Sequence, residues 1–308
     1  MSGGGGDGPV LDPARATVAV VGLGNMGGRI ARRLASQGVR VLGLDARPGQ
    51  AAAWGVEDGG DLAGLAAAAD LVLLSLPSSR QVEAVVEGPG GLLGHARPGL
   101  VVVDLTTAEP ASTRRLHGLL AARGTALLDA GISGGPGPAA SGTLTLMVGG
   151  DLQVLERVRP LLDLVGSTVV HLGGPGNGHA AKAVNNFLNA MNLAATAEAM
   201  VAGAAAGLDP KALLATIQAS SGRNFATEVR FPKIVEGDYM EGSLSVSLMV
   251  KDLDVYAALA ASAGAPASLA PAARAVYELA LQDGHGGQSA NRVVDSVGDR
   301  AGGIRLHP

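Results

Sequence analysis

Residues 17–27, with the sequence TVAVVGLGNMG, decide the fold of this chain. The first five are apolar or β-branched and predict a buried strand, and the G-x-G-x-x-G from Gly22 to Gly27 predicts a turn into a helix. In such a turn Gly22 permits the tight bend, Gly24 lets the backbone approach a pyrophosphate, and Gly27 lets helix and strand pack closely. The first N–H groups of the helix can bind phosphate. The segment therefore predicts a dinucleotide site formed by Gly22, Leu23, Gly24, Asn25, Met26 and Gly27.

An acidic residue stands where this site needs one. The second predicted strand, residues 40–44, is followed by Asp45, eighteen residues after Gly27. At about this spacing a carboxylate accepts hydrogen bonds from the adenosine ribose and repels a 2′-phosphate, so the cofactor is predicted to be NAD. Arg47, two residues further on, could instead reach a 2′-phosphate, which keeps NADP as the alternative.

Strands and helices alternate around this segment. Further apolar runs predict strands at residues 71–75, 100–104, 126–129, 144–148 and 168–171, and a helix at 152–164. This order is typical of a parallel sheet with helices on both faces. After the glycine-rich residues 173–178 only helical patterns follow. We predict an α/β protein with a disordered tail (1–14), a Rossmann-type domain (15–175) and an all-helical domain (176–302), joined by a long helix at 178–207.

Composition excludes several classes of protein. The 308 residues carry a net charge of −4 and no long basic run, which argues against nucleic-acid binding. No cysteine is present, so disulfides and thiolate chemistry are excluded, and no H-E-x-x-H or similar cluster predicts a metal site. The N-terminal sequence lacks a signal peptide and no apolar run is long enough for a membrane span, so we expect a cytoplasmic protein.

A polar stripe marks the long predicted helix. Lys182, Asn185, Asn186 and Asn189 lie at offsets of 0, 3, 4 and 7 and therefore share one helical face. A solvated face is the ordinary interpretation of such a stripe. However, asparagine costs roughly 0.5 kcal/mol in helix propensity. Three of them beside one lysine fit hydrogen-bonding groups that serve a site, and they fit buried asparagines with satisfied hydrogen bonds equally well.

The segment around this stripe, GNGHAAKAVNN at residues 176–186, resembles the catalytic motif of the β-hydroxyacid dehydrogenase family. Three further segments match that family in the expected order. They are the glycine loop at 22–27, the segment DAGISGG at 129–135 that continues to residue 144, and Lys-Asp-Leu at 251–253. The resemblance covers roughly residues 17–301 and implies a Rossmann domain joined by a long helix to a helical domain.

The resemblance also implies roles for the matching residues. Lys182 is then the catalytic residue, and Asn186 contacts the substrate. The loops near the nicotinamide and the C-terminal motif contribute Leu76, Pro77, Gln81, Thr107 and Lys251, and the substrate carboxylate is bound by Ser133, Gly134 and Gly135.

Two positions depart from the family pattern. Gly131 stands where the family usually has proline, which predicts a looser loop before Ser133. Gln81 stands where relatives can have asparagine. Neither departure removes a catalytic group.

These residues together predict a reaction. We expect NAD-dependent oxidation of a small 3-hydroxy acid, similar to 3-hydroxyisobutyrate, to its semialdehyde, with Lys182 as base and Asn186 on the hydroxyl. The role as base requires a pKa below the ordinary lysine value of about 10.4. Arg223, in a predicted break between helices, is either a surface cation or the candidate for binding a second acidic group, whereas Arg230 and Lys233 are expected to be solvated.

Alternative functions remain open at this level. The enzyme could work as an NAD(P)H-dependent reductase of a semialdehyde acid or of glyoxylate. An imine reductase is less favoured because that group commonly replaces the catalytic lysine with Asp or Tyr. A sensor that binds NAD(H) without turnover is the remaining alternative. The family resemblance also implies a homodimer or homotetramer.

Overall fold

The computed structural model describes residues 8–307. They form two compact units, which meet along the chain between Lys182 and Ala183. The first contains the sheet, and the second consists of helices apart from a single bridge between Ser245 and Ser289. In the described residues, none of the helices is long and apolar enough to cross a membrane.

The sheet of the first unit has eight strands in the order β3-β2-β1-β4-β5-β6-β7-β8. All neighbours are parallel except β6 and β7, which are antiparallel. The strands are β1 (Thr17–Val21), β2 (Arg40–Leu44), β3 (Glu57–Asp58), β4 (Leu71–Leu74), β5 (Val101–Asp104), β6 (Ala126–Ser133), β7 (Leu144–Gly149) and β8 (Gly166–His171).

Seven helices connect these strands, with a 3₁₀ turn at Leu92–His95. They are α1 (Gly27–Ser36), α2 (Gln50–Trp54), α3 (Leu62–Ala68), α4 (Ser79–Glu87), α5 (Pro110–Ala121), α6 (Pro136–Ser141) and α7 (Leu152–Leu162). The long helix α8 (Asn177–Ala205) follows. The second unit continues with α9 (Pro210–Gln218), a π-helix (Ala226–Arg230), α10 (Phe231–Ile234), α11 (Val246–Ser262), α12 (Leu269–Gln282), a 3₁₀ turn (Ala290–Arg292) and α13 (Val293–Arg300).

Apolar side chains fill both faces of the sheet. Because successive side chains of a strand point to opposite faces, Val18 and Val20 of β1 join one apolar cluster, and Ala19 and Val21 join another. The first cluster includes side chains of α1 and α7, and the second includes those of α3, α4 and α5. The Rossmann-type architecture predicted from the alternating pattern is thus confirmed, and a separate apolar cluster forms the core of the second unit.

The structure differs from the predicted elements in the sheet. Strand β6 continues through Ser133, four residues beyond its predicted end, and the short β3 was not predicted. The sheet is also not entirely parallel. Residues 134–143 between β6 and β7 are too few for a parallel crossover, which needs about a dozen residues or more, so β7 runs antiparallel.

The predicted tail of residues 1–14 also differs in its second half. Residues 1–7 lie outside the described residues. Leu11 is buried, and its N–H donates to the carbonyl of Arg157 at 2.9 Å. The Arg157 Nε in turn donates to the carbonyl of Pro9 at 3.2 Å. The residues just before β1 are therefore held against α7.

Candidate active site

The glycine loop has the shape that a pyrophosphate needs. Gly22 has a φ of +91°, and a Cβ there would lie 2.3 Å from the Ser75 carbonyl oxygen. A Cβ on Gly27 would lie 1.9 Å from the Gly22 oxygen, whereas one on Gly24 would meet no atom within 4 Å. Gly22 and Gly27 thus have no space for side chains, and Gly24 leaves an open backbone surface. The loop therefore fits the diphosphate of a dinucleotide.

Asp45 is held in place beside this loop. Its Oδ2 accepts a hydrogen bond from the Leu23 N–H at 2.7 Å, and its Oδ1 accepts from the backbone N–H and the Nε of Arg47 at 2.9 and 3.1 Å. Burial raises the pKa of Asp45, but the hydrogen bonds from Arg47 and Leu23 outweigh it and lower the pKa below the ordinary value. Asp45 is therefore a fixed carboxylate, and Arg47 is folded back onto it.

Trp54 supports the same loop and was not singled out from the sequence. Its Nε1 donates to the Leu23 carbonyl oxygen at 2.9 Å, and its ring lies where a Cβ of Gly28 would be, 2.0 Å from the nearest ring atom. The guanidinium carbon of Arg32 lies 4.8 Å from the ring centroid. Trp54 is the only tryptophan of the chain, which is the one signal that could have drawn attention to it.

The other predicted cofactor residues follow β4 and β5. Leu76 and Pro77 come directly after β4, and the Leu76 N–H donates to Oγ1 of Thr106 at 3.2 Å. Thr107 follows β5, and Gln81 is exposed in the first turn of α4, where its Oε1 accepts from Ser78. Ligands of such sheets bind at the carboxyl ends of the strands. The location is compatible with cofactor contacts, which stay a prediction.

Lys182 lies one to two turns into α8 and is 9% exposed. Its stem packs against Gly131 of β6, where a Cβ would lie 2.4 Å from the Lys182 Cβ and 2.9 Å from its Cγ. The expectation that Gly131 loosens a loop is therefore wrong. Gly131 is paired with Met147 inside the sheet, and its lack of a side chain makes room for the lysine stem.

A buried polar network holds the first turn of α8. The carboxylate of Asp129 accepts from the N–H of Gly176 at 2.7 Å and from the N–H of His179 at 2.8 Å. The His179 ring is 0% exposed; its Nδ1 lies 2.7 Å from the Thr113 Oγ1 and its Nε2 lies 3.1 Å from the Asp104 carbonyl oxygen. Burial raises the pKa of the Asp104 carboxyl. Residues on β5, β6 and α5 thus fix the helix turn that precedes Lys182.

The predicted carboxylate loop follows β6. Ser133 is the last residue of that strand, Gly134 and Gly135 have φ values of +133° and +79°, and α6 begins at Pro136. A Cβ on Gly134 would lie 2.8 Å from the Pro138 Cβ. Gly134 is exposed, and its two neighbours are half-buried. The glycines are thus required by the backbone conformation, and carboxylate binding stays a prediction.

In the second unit, Asn186 contacts the C-terminal motif. Its Nδ2 donates to the Oδ2 of Asp252 at 2.5 Å, and the Oδ1 of Asp252 lies 3.0 Å from the Lys251 Nζ. Because a carboxylate only accepts hydrogen bonds, this contact fixes which way the Asn186 amide points. Its Oδ1 accepts from Asn185 at 3.3 Å. Asp252, which is 2% exposed, thus orients Asn186 and was not predicted to do so.

Two arginines of the second unit, Arg223 and Arg230, differ in exposure, and the expectation for Arg230 is wrong. The side chain of Arg223 is 68% exposed, and its Nε lies 3.9 Å from Glu228. Arg230, expected to be solvated, is only 9% exposed because the π-helix that ends at this residue turns it inward against α8. Lys233 is exposed, as expected.

The packing of Gly131 on Lys182 leads to a testable prediction. In a Gly131→Ala enzyme the new Cβ needs space that the lysine stem occupies, so Lys182 must shift. Because displacements of about 1 Å can cost up to roughly a hundredfold in rate, we expect kcat to fall by at least about tenfold while the Kd of NADH is unchanged. Gly118→Ala in α5, where a Cβ meets no atom within 4 Å, is the control. Unchanged kcat in Gly131→Ala would contradict the contact.

The fold and the glycine loop are those of a dinucleotide-binding protein, and comparison with known proteins identifies which kind. The family described as the NAD-binding domain of 6-phosphogluconate dehydrogenase matches residues 17–173. The family described as NAD-binding of NADP-dependent 3-hydroxyisobutyrate dehydrogenase matches residues 176–297.

Individual relatives agree with these matches. The NAD-dependent L-serine dehydrogenase of Pseudomonas aeruginosa is 38% identical over 87% of this chain and 93% of its own. The 2-(hydroxymethyl)glutarate dehydrogenase of Eubacterium barkeri is 34% identical over 90% of this chain and 93% of its own. The solved structure of Mycobacterium tuberculosis 3-hydroxyisobutyrate dehydrogenase with L-serine is 33% identical, with a TM-score of 0.83 over 91% of this chain and 98% of that one.

This chain belongs to the β-hydroxyacid dehydrogenase family. It is an NAD-dependent enzyme that acts on a small hydroxy acid, as the resemblance of its motifs predicted. The prediction of NAD as cofactor is confirmed at this level.

Proposed function

We propose that the enzyme oxidises a small 3-hydroxy acid, similar to 3-hydroxyisobutyrate, to the corresponding semialdehyde, with Lys182 as the proton acceptor. The observation that carries this proposal is the placement of Lys182. It is a buried lysine on a helix whose first turn is fixed by Asp129 and His179, and its stem is packed on Gly131. Such a restrained amine suits general acid–base work.

The cofactor residues of the proposal lie in the first unit, apart from Lys251. The loop 22–27 would hold the diphosphate and Asp45 the adenosine ribose. NAD, when bound, supplies the acceptor for the hydride. The ion pair between Asp45 and Arg47, at 3.1 Å, supports a preference for NAD over NADP, because Arg47 would have to leave Asp45 to contact a 2′-phosphate. Leu76, Pro77, Thr107, Gln81 and Lys251 complete the proposed cofactor contacts.

The substrate residues of the proposal do three different things. Ser133, Gly134 and Gly135 bind the substrate carboxylate through backbone N–H groups and the serine hydroxyl. Asn186 hydrogen-bonds the reacting hydroxyl and is oriented by Asp252. Lys182 takes the hydroxyl proton onto Nζ during oxidation and returns it during reduction. The predicted cytoplasmic location and the homodimer or homotetramer belong to the same proposal.

A substrate panel tests the proposal. NADH formation is followed by absorbance with 3-hydroxyisobutyrate, L-serine, D-glycerate, L-threonate and 4-hydroxybutyrate, offered with NAD or with NADP. We expect turnover of at least one 3-hydroxy acid, with NAD preferred. Glyoxylate and semialdehyde acids are offered with NADH in parallel. Turnover of glyoxylate alone would contradict the proposal in favour of a reductase, and NADH binding without turnover of any compound would favour a sensor.

A further inference from the structure

Arg230 in the second unit is a buried charge without a counter-charge. It is 9% exposed, and no Asp or Glu oxygen lies within 4.0 Å of its guanidinium among residues 8–307. Its Nη1 donates to the Asn291 side-chain oxygen at 2.6 Å and its Nη2 to that of Asn189 at 3.2 Å, both of which are neutral amides. Its Nε is buried and has no hydrogen-bond partner in the described part of the chain. Burying a guanidinium in this way is unfavourable unless an anion joins it.

Another buried arginine shows a structural use of the same side chain. Arg157 is 8% exposed, and it donates from Nε to the Pro9 carbonyl and from Nη2 to the Gly99 carbonyl, at 3.2 and 2.8 Å. It thereby ties down two backbone segments. Within residues 8–307 the hydrogen bonds of the Arg230 guanidinium go to side chains and to no backbone carbonyl, and burial lowers the pKa of Arg230 from the ordinary value. Its environment therefore suits a residue that binds a ligand and not one that anchors backbone segments.

The position of Arg230 relates it to the proposed substrate residues. Asn189, its partner, follows Asn186 by three residues on the same face of α8, which is about 4.5 Å of helix rise. Arg230 itself ends the π-helix Ala226–Arg230, and π-turns are frequent at functional sites. Beside it stands the 53% exposed side chain of Phe225, whose ring centroid is 5.9 Å from the guanidinium carbon. The charge is thus about one helical turn beyond the proposed hydroxyl contact.

We infer that Arg230 binds a second anionic group of the substrate, so that the enzyme prefers 3-hydroxy acids with a further carboxylate or phosphate over 3-hydroxyisobutyrate. This inference rests on the proposed function and assigns the substrate class of the same site. A guanidinium forms strong, directional hydrogen bonds with either group. Arg230 thereby takes the role that the sequence pattern suggested for Arg223.

Specificity constants test the assignment. kcat/KM is measured for 3-hydroxyisobutyrate, for 2-(hydroxymethyl)glutarate, which has a second carboxylate, and for 2-phosphoglycerate, a 3-hydroxy acid with a phosphate. The variants are Arg230→Met, Arg230→Lys and Arg223→Met, the last of which removes the other candidate arginine. We expect the wild-type enzyme to prefer one of the two doubly anionic acids by at least about tenfold. The preferred one identifies the group as carboxylate or phosphate.

The variants separate the two arginines. Arg230→Met is expected to remove most of the preference, Arg230→Lys to keep part of it, and Arg223→Met to retain it. A wild-type enzyme that favours 3-hydroxyisobutyrate overturns the inference even if Arg230→Met does not fold. Loss of the preference in Arg223→Met but not in Arg230→Met overturns it as well.

A binding measurement separates this inference from the proposed function. If no hydroxy acid is oxidised, the proposed reaction fails, but glutarate can still be titrated calorimetrically into the NADH-loaded enzyme. An anion site at Arg230 is supported if the wild-type enzyme binds glutarate and the Kd rises by about tenfold or more in Arg230→Met. Equal binding by both proteins, or none by the wild-type enzyme, overturns it.

Discussion

A Lys182→Met enzyme is expected to lose about a hundredfold to ten-thousandfold in kcat, the usual contribution of a positioned general acid or base. Methionine keeps an unbranched stem, so the packing against Gly131 is preserved and only the amine is removed. The proposed diphosphate and ribose contacts belong to the connection between β1 and α1 and to Asp45 after β2, and not to α8. The Kd of NADH should therefore stay at its wild-type value.

The chain supplies both the control and the readout for this experiment. Lys211 is 57% exposed, with its Nζ 2.8 Å from Glu236, so Lys211→Met removes a solvated amine and should leave kcat unchanged. Trp54 donates to Leu23 inside the glycine loop and is the only tryptophan, so its fluorescence reports NADH binding. Wild-type turnover in Lys182→Met would rule out the lysine as base.

Asp129→Ala is expected to lower the free energy of unfolding by about 3 kcal/mol, because two hydrogen bonds to a charged acceptor are lost and their donors stay buried. kcat should fall as well, since His179 begins the turn that leads to Lys182. Urea denaturation and NADH formation measure the two effects.

Asp151→Ala is the matched control for this substitution. Asp151 also begins a helix, α7, where it accepts from Gln153 and Val154 at 2.7 and 3.4 Å, but it is exposed. We expect Asp151→Ala to lower the free energy of unfolding by about 1 kcal/mol, the typical value for the loss of an N-cap, and to leave kcat unchanged. Equal losses of stability in Asp129→Ala and Asp151→Ala would contradict the buried network.

Local patterns explain which parts of the fold the sequence predicts well. β1 and the glycine loop depend on neighbouring residues only, so residues 17–27 identify them. The antiparallel pairing of β6 and β7 depends on the length of the connection between them, which shows no periodic pattern. β3 has two residues and is too short to leave a recognisable run.

Contacts between residues that are far apart in the sequence could not be predicted in the same way. Gly131 is a departure from the family pattern in the sequence, and only its contact with Lys182 shows why glycine is needed there. Asp129 lies 47 and 50 residues from the two backbone groups that it binds. Arg223 and Arg230 are equally polar in the sequence, and only the structure shows that Arg230, at the end of the π-helix, is buried while Arg223 is exposed.

Rescue of a Lys182→Ala enzyme by added amines tests the central claim most directly. Removing the side chain leaves space beside Gly131 that a small primary amine can enter, and the amine then supplies the missing base. NADH formation from a 3-hydroxy acid is measured against methylamine concentration. The proposed mechanism predicts a rate close to zero without amine that rises with its concentration, while the wild-type rate does not change. A variant that turns over at the wild-type rate without amine, or equal acceleration of both enzymes, would contradict it.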